Sequence, residues 1–232
     1  MKFAIDLVVF DIVGTTVEDN GQVQNAFVDV LEACDITVSP AEIAPWRGAP
    51  KRDALSFFLQ KVLNYDDVGF EARLNGLHAD FRARLEEQYR SGRTKVIPGA
   101  ESTFLWLRDR SIKIALTTGF YRQLADTILS ALGWSTDMID ASVSSDEVAK
   151  GRPAPQLIFR AMERTDVNAA RRVAKIGDTV LDLKAGMNAG ASGVIGVLSG
   201  SHGLDTLGPT AHTHIISSVA VLPSLIEDQF AE

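Results

Sequence analysis

Short apolar runs of strand character recur at residues 7–12, 113–118, 139–143, 173–177 and 193–198, with helical patterns between the later ones. The helical segments expected from the periodicity are 101–110, 122–132, 155–163 and 181–189. Alternation of this kind admits few folds. Parallel neighbours need a crossover long enough to hold a helix, and the helices must then cover both faces of the sheet. The expected fold class is α/β, a doubly wound parallel sheet. Ligands of such sheets bind outside the carboxyl ends of the strands, which directs the search for chemistry to the last residues of each run.

One region breaks the alternation. Residues 17–93 contain no convincing strand, and Phe70, Leu74, Leu77, Phe81, Leu85 and Tyr89 recur at steps of three or four, as one apolar face of a helix does. "SGR" ends that helix and "VIPG" marks the return to the main pattern. The expected organisation is a core domain of residues 1–16 and 94–232 with a helical insertion at 17–93. An insertion just after the first strand would act as a lid over the strand ends, and lids keep water from reactive intermediates.

Composition narrows the function. The chain has 232 residues and a net charge of -7, which argues against a nucleic-acid partner, since that would need a basic face. The single Cys34 allows no intrachain disulfide and fits a reducing cytoplasm. The apolar start "MKFAIDLVVFDIVGTTV" is interrupted by Asp6 and Asp11 well short of the ~20 residues that a membrane span requires. It also lacks a small-residue cleavage site. A cytoplasmic protein with no membrane partner is expected.

Four stretches at strand ends carry the candidate chemistry. In "VVFDIVGTTV" three apolar residues run into Asp11, a carboxylate facing the crevice, although an isolated strand-end aspartate is more often a turn former. In "KIGDTVLDLKAG" Asp178 ends a strand and Asp182 follows at i+4, on one side of a starting helix. With Asp11 they supply the hard oxygen ligands that Mg²⁺ prefers; the alternative is that Asp178 caps the helix. In "IALTTGF" Thr117 or Thr118 offers a hydroxyl and Gly119 lets backbone N–H groups approach an anion. In "AKGRPAP" Arg152 precedes a proline, and its forked, always charged head suits a phosphoryl group.

In this order and spacing the four stretches resemble the signature of the haloacid dehalogenase superfamily. The resemblance implies a Rossmann-like core with an inserted helical cap at 17–93 and Mg²⁺ as cofactor. It makes Asp11 the nucleophile that forms an aspartyl-phosphate, with the Val13 carbonyl and Asp178 holding the metal and Asp182 in support. Thr118 and Arg152 would bind the transferring phosphoryl group, and Thr15, Gly119 and Arg47 are further substrate-binding candidates. Most phosphatases of the superfamily carry a second aspartate two residues after the nucleophile, an acid-base group worth typically ~10²–10⁴-fold. Here that position is Val13.

The phosphonoacetaldehyde hydrolase branch has a small apolar residue at that position. Its motifs D-x-A-G-T-T-V, T-T-G-aromatic-x-R, G-R-P and G-D-T-V-x-D resemble "DIVGTTV", "TTGFYR", "KGRPAP" and "GDTVLD". Its cap motif M-G-x-x-K-x-x-H places Lys51 of "RGAPKRDA" on the lysine that forms a Schiff base with the aldehyde. Deprotonating such a lysine from a pKa of ~10.4 costs roughly 4.6 kcal/mol at pH 7. Arg47 and Arg52 would lower that cost and Asp53 would counter them. Lys51 reads equally well as an ordinary basic residue starting a cap helix. The chain departs from the motif at Arg47, where the branch has methionine, and at Ala54, where it has histidine.

The expected function is Mg²⁺-dependent removal of a phosphoryl group from a small organophosphorus metabolite, by P–C cleavage of a phosphonoacetaldehyde-type phosphonate. The alternatives are a phosphatase for a small phosphate ester, of the phosphoglycolate phosphatase kind, and a catalytically idle module that keeps the fold. The expected partner is a small phosphorylated or phosphonate metabolite. The oligomeric state stays open, a homodimer among the options.

Overall fold

The structure, a computed structural model, describes residues 3–46, 51–90 and 94–231. Six strands form one sheet: β1 Leu7–Asp11, β2 Lys113–Thr117, β3 Ala141–Val143, β4 Val173–Gly177, β5 Gly193–Val197 and β6 His214–Ile216. The strand order is β3-β2-β1-β4-β5-β6 and every pairing is parallel. The chain walks from β1 through β2 to β3, then crosses back to lay β4 on the other side of β1. That reversal places the crevice of a doubly wound sheet between β1 and β4.

Ten helices are described: α1 Gln22–Glu32, α2 Pro40–Ile43, α3 Lys51–Leu59, α4 Phe70–Arg90, α5 Ala100–Asp109, α6 Arg122–Leu132, α7 Gln156–Thr165, α8 Val180–Ala189, α9 Leu204–Leu207 and α10 Leu222–Gln229. β1 is buried along its whole length because both its edges are paired and both its faces covered. Leu7 and Val9 join the core cluster that contains Leu157, Ile158 and Ala161 of α7 and Ala185 of α8. One residue out of phase, Phe10 meets Phe104 of α5 edge-on at 5.2 Å. Burying the four apolar side chains of β1 is worth about 6–12 kcal/mol before the entropy of ordering is set against it. A strand covered on both faces reads as a continuous apolar run, which is why "LVVF" does not alternate.

The chain divides into two compact units, residues 1–19 with 94–232 and residues 20–93. The sheet unit keeps residues 17–19, three beyond the expected boundary. Val17 bridges both Val13 and Val96, Glu18 N donates to Lys95 O, and Ile97 N donates to Thr16 O. Backbone pairing of the outgoing and returning chain therefore holds the junction. In the helical unit α4 packs against α1 and α3. Its buried face is the expected one, Phe70, Leu74, Leu77, Phe81, Leu85 and Tyr89, joined by Glu86. Phe27 of α1 meets Phe81 at 4.6 Å between ring centroids.

Candidate active site

The parallel register brings the strand ends together. Asp11 stands opposite Thr117, and Phe10 opposite Ile176, so Asp178 follows β4 immediately beside the end of β1. Carboxylate oxygens of Asp11, Asp178 and Asp182 all lie within 4.8 Å of one another, and all three residues are buried. Two cations enter the same cluster. Arg152 Nη1 is 2.9 Å from Asp11 Oδ1 and 2.6 Å from Asp182 Oδ1, and Lys175 Nζ is 3.0 Å from Asp182 Oδ1. With the carboxylates ionised, one net negative charge remains for a ligand to neutralise.

Glycines on two loops make the cluster possible. A Cβ on Gly14, whose φ is +93°, would lie 2.3 Å from Asp178 Oδ2, and one on Gly200 would lie 2.2 Å from the same atom. Thr15 Oγ1 donates to Asp178 Oδ1 at 3.1 Å and Ser201 N donates to Oδ2 at 2.7 Å, which fixes the carboxylate. Gly14→Ala combines a backbone conformation costly for L-residues with a clash against a pinned group. It is expected to cost about 2 kcal/mol or more. It should also weaken Mg²⁺ binding at least tenfold, as titration of the metal against thermal stability would reveal. Unchanged Mg²⁺ affinity in Gly14→Ala would count against Asp178 as a residue that could hold a metal.

The helix cap of α8 belongs to Thr179, not to Asp178. Thr179 Oγ1 accepts from Asp182 N, while Thr179 N and Oγ1 donate to Asp182 Oδ2 at 3.3 and 2.5 Å. Asp178 is thereby released from capping and faces the cluster. Asp182, in contrast, is saturated: Thr179 takes one oxygen, and Arg152 with Lys175 takes the other.

Burial sets the proton affinities. It pushes Asp11 up to about 7, against the pull of Arg152 and with the push of Asp182. Burial, with Asp182 alongside, raises Asp178 to about 6. Burial acts on Asp182 in the same direction, but Arg152 and Lys175 hold its carboxyl well below the usual range. Desolvation works against the Arg152 charge, yet Asp11 and Asp182 overcome it and raise its pKa. The group with the most counter-charge is thus the strongest acid, and a further cation would favour ionisation of the other two.

Several observations fit that cation being a divalent metal. Asp11 Oδ1 is buried and accepts no hydrogen bond, despite its ion pair with Arg152. Among the described residues the hydrogen bonds at this turn end on the carbonyls of Asp11, Ile12, Gly14 and Val17, and none of them on that of Val13. The available donors are hard oxygens, the set Mg²⁺ prefers.

The loop bearing Thr118 and the turn that follows β3 are braced from behind. Thr118 N donates to Val143 O, and Ser145 N and Oγ both donate to Phe120 O. Arg122 donates to Ser142 and ion-pairs with Glu147, which Arg164 holds at 2.7 Å from the far side. Thr118 is buried, and its Oγ1 accepts from Phe120 N at 3.1 Å. A Cβ on Gly119 would lie 2.9 Å from Arg152 Nη2, so glycine leaves the room that the guanidinium occupies.

Of the residues singled out from sequence, Asp11, Asp178, Asp182 and Arg152 come together, with Val13, Thr15, Thr118 and Gly119 around them. Thr15 commits its hydroxyl to Asp178. Lys51 is the first residue of α3, in the helical unit, and is half-buried. Arg47 lies outside the described residues. Arg52 turns to Glu71 on α4 at 2.6 Å and to Asn75, so its charge is matched locally. Ala54 is fully buried. Lys175 was not anticipated, although a charged residue inside a two-face-buried strand is itself a signal.

Residues 5–190 match the family described as haloacid dehalogenase-like hydrolase. The chain belongs to the haloacid dehalogenase-like hydrolases. This hydrolase is 31% identical over 208 residues to a bifunctional phosphonoacetaldehyde hydrolase/aminoethylphosphonate transaminase of Clostridioides difficile. The match covers 85% of the chain but 32% of that relative, so the chain spans about a third of its length. A phosphonoacetaldehyde hydrolase of Bacillus cereus is 28% identical over 205 residues, covering 85% of the chain and 77% of the relative. Among solved structures, a phosphonoacetaldehyde hydrolase-like protein of Oleispira antarctica superposes with a TM-score of 0.81 at 20% identity. That superposition covers 97% of this hydrolase and 92% of the other chain and establishes the shared fold. Among the described residues no helix is long and apolar enough to cross a membrane.

Proposed function

We propose that this hydrolase removes the phosphoryl group of a small phosphonate of the phosphonoacetaldehyde kind, breaking a P–C bond by way of an aspartyl-phosphate on Asp11. The observation that carries the reading is the Asp11 carboxylate itself. It ends the central strand with one buried oxygen that no hydrogen bond occupies, beside Arg152 and two further carboxylates. Asp11, the Val13 carbonyl and Asp178 would hold Mg²⁺, with Asp182 behind them. The ion would supply charge neutralisation on the phosphoryl oxygens.

In this reading Asp11 attacks phosphorus while Arg152 and Thr118 hold the phosphoryl oxygens. Lys51 first condenses with the substrate aldehyde to an imine, with loss of water. When the P–C bond breaks, its electron pair passes through the imine to nitrogen and leaves an enamine. Proton uptake and hydrolysis then release acetaldehyde and restore Lys51, and a second water frees phosphate from Asp11. The helical unit, residues 20–93, would serve as the cap. A leaving group stabilised in this way needs no acid at Val13, and the names of the sequence relatives support the same substrate class.

A second reading, hydrolysis of a small phosphate ester, is favoured by one observation. The branch's histidine position is Ala54, buried in α3, and it offers no proton shuttle for imine formation. Borohydride with phosphonoacetaldehyde separates the two. Reductive trapping of substrate on Lys51, with phosphate and acetaldehyde release abolished in Lys51→Ala, supports P–C cleavage. Turnover of a phosphate ester that survives Lys51→Ala, with no trapped adduct, supports the ester reading instead.

A further inference from the structure

Lys175 stands in the middle of β4 with a side chain 1% exposed, in a strand whose neighbours on both sides are apolar. Packing alone would favour an aliphatic residue there. Its Nζ instead meets three acceptors: Asp182 Oδ1 at 3.0 Å, Thr117 Oγ1 at 3.3 Å and Ile176 O at 3.0 Å. Three acceptors, one of them a carboxylate, are the surroundings of an ammonium. Thr117 Oγ1 in turn donates to Phe10 O, the carbonyl just before Asp11. The amine is therefore fastened to β1, β2, β4 and α8 together.

Its carboxylate partner is the one that holds Arg152. Asp182 Oδ1 is shared by Arg152 Nη1 at 2.6 Å and Lys175 Nζ at 3.0 Å, and the same Nη1 reaches Asp11 Oδ1 at 2.9 Å. Without Lys175, the whole charge of Asp182 would fall on Arg152 and draw the guanidinium away from Asp11. The cluster would also carry one more uncompensated negative charge, in a region where charges interact strongly.

We propose that Lys175 is a positioning residue that sets the charge balance of the site. It neutralises Asp182 so that Asp182 serves as a seat for Arg152 and leaves the guanidinium available to an incoming phosphoryl group. This rests on the reading of Asp11, Arg152 and Mg²⁺ given above. The consequence has two signs. Removing the ammonium should weaken binding of a phosphoryl-like anion and leave divalent-metal binding equal or tighter. A lysine that only held the fold together would, when removed, weaken both.

The test compares wild type with Lys175→Met, of similar length and uncharged, and with Thr117→Val, which deletes one acceptor of the ammonium. Mg²⁺ affinity is measured by titration against thermal stability, and orthovanadate affinity at saturating Mg²⁺. In Lys175→Met the vanadate Kd is expected to rise at least tenfold with the Mg²⁺ Kd unchanged or lower. In Thr117→Val the same pattern is expected at about threefold. Loss of both affinities together, an unchanged vanadate Kd, or a Mg²⁺ Kd raised tenfold alone would overturn the proposal. The last of these would make Asp182 a metal ligand held in place by Lys175. If Lys175→Met does not fold, Thr117→Val decides by the same criteria. A wild type that binds neither Mg²⁺ nor vanadate overturns the functional reading itself, a result distinct from any in the variants.

Discussion

Asp11→Asn is expected to abolish turnover, by at least ~10⁴-fold in kcat, the scale seen when a covalent nucleophile is removed. The same change should make the metal-free protein more stable at pH 8. The sign follows from the raised pKa. Asp11 titrates at about 7 in the fold against 3.8 when free, because burial disfavours its charge more than Arg152 favours it. The folded state thus binds the proton more tightly. Its contribution to stability is fully present below the free pKa and is lost as pH climbs from about 4 through about 7. Asparagine has no proton to lose and escapes that decline. The stability gap between the two proteins should be smaller at pH 5 than at pH 8, where it reaches a few kcal/mol of unfolding free energy with the variant ahead. Mg²⁺ should close the gap by stabilising the wild type and not the variant. Melting curves at the two pH values, with chelator and with Mg²⁺, check all three statements. A variant less stable than wild type at pH 8 in chelator would contradict the burial argument.

Arg152→Ala carries the second large effect. The guanidinium bridges Asp11 and Asp182 with a side chain only 8% exposed. Taking it away leaves three buried carboxylates facing Lys175 alone. Breaking a buried pair from one side costs about 3–5 kcal/mol, so a marked drop in melting temperature is expected at pH 8. The drop should shrink toward pH 5, where Asp11 and Asp178 take up protons, since both already titrate well above the usual carboxylate range. Turnover should fall on the order of 10³-fold, the scale at which a single arginine stabilises a transferring phosphoryl group. Arg152→Lys should recover little of it, because an ammonium cannot reach two carboxylates and a phosphoryl oxygen with one planar fork. Steady-state rates of the two variants, with added guanidinium as a rescue arm, check the prediction. Activity of Arg152→Lys close to wild type would reduce the role of Arg152 to plain charge.

Expected and observed elements agree most closely where periodicity is strong. Helix 122–132 and strand 173–177 fall on their expected residues. The third strand shortens to Ala141–Val143, and β6, only three residues at an edge, falls outside the expected apolar runs. An edge strand with one partner leaves little trace in apolar pattern. The junction of the two units was likewise hidden. It depends on backbone bonds among Thr16, Glu18, Lys95 and Ile97, and those are blind to side-chain type.

The parallel α/β core, the helical insertion and the set of strand-end residues are legible in the chain alone, because burial period and glycine-rich turns are written locally. Asp11, Asp178 and Arg152 were legible for that reason. Tertiary structure alone decided how charge is shared among them. Capping by Thr179 frees Asp178, Gly14 and Gly200 close around its carboxylate, and Lys175 reaches from mid-strand to share Asp182 with Arg152. Spacing along a chain records which groups stand at the ends of strands. Which carboxylate remains without a counter-charge depends on distances of 2.6–3.0 Å between residues up to 141 positions apart, and only the folded sheet sets those.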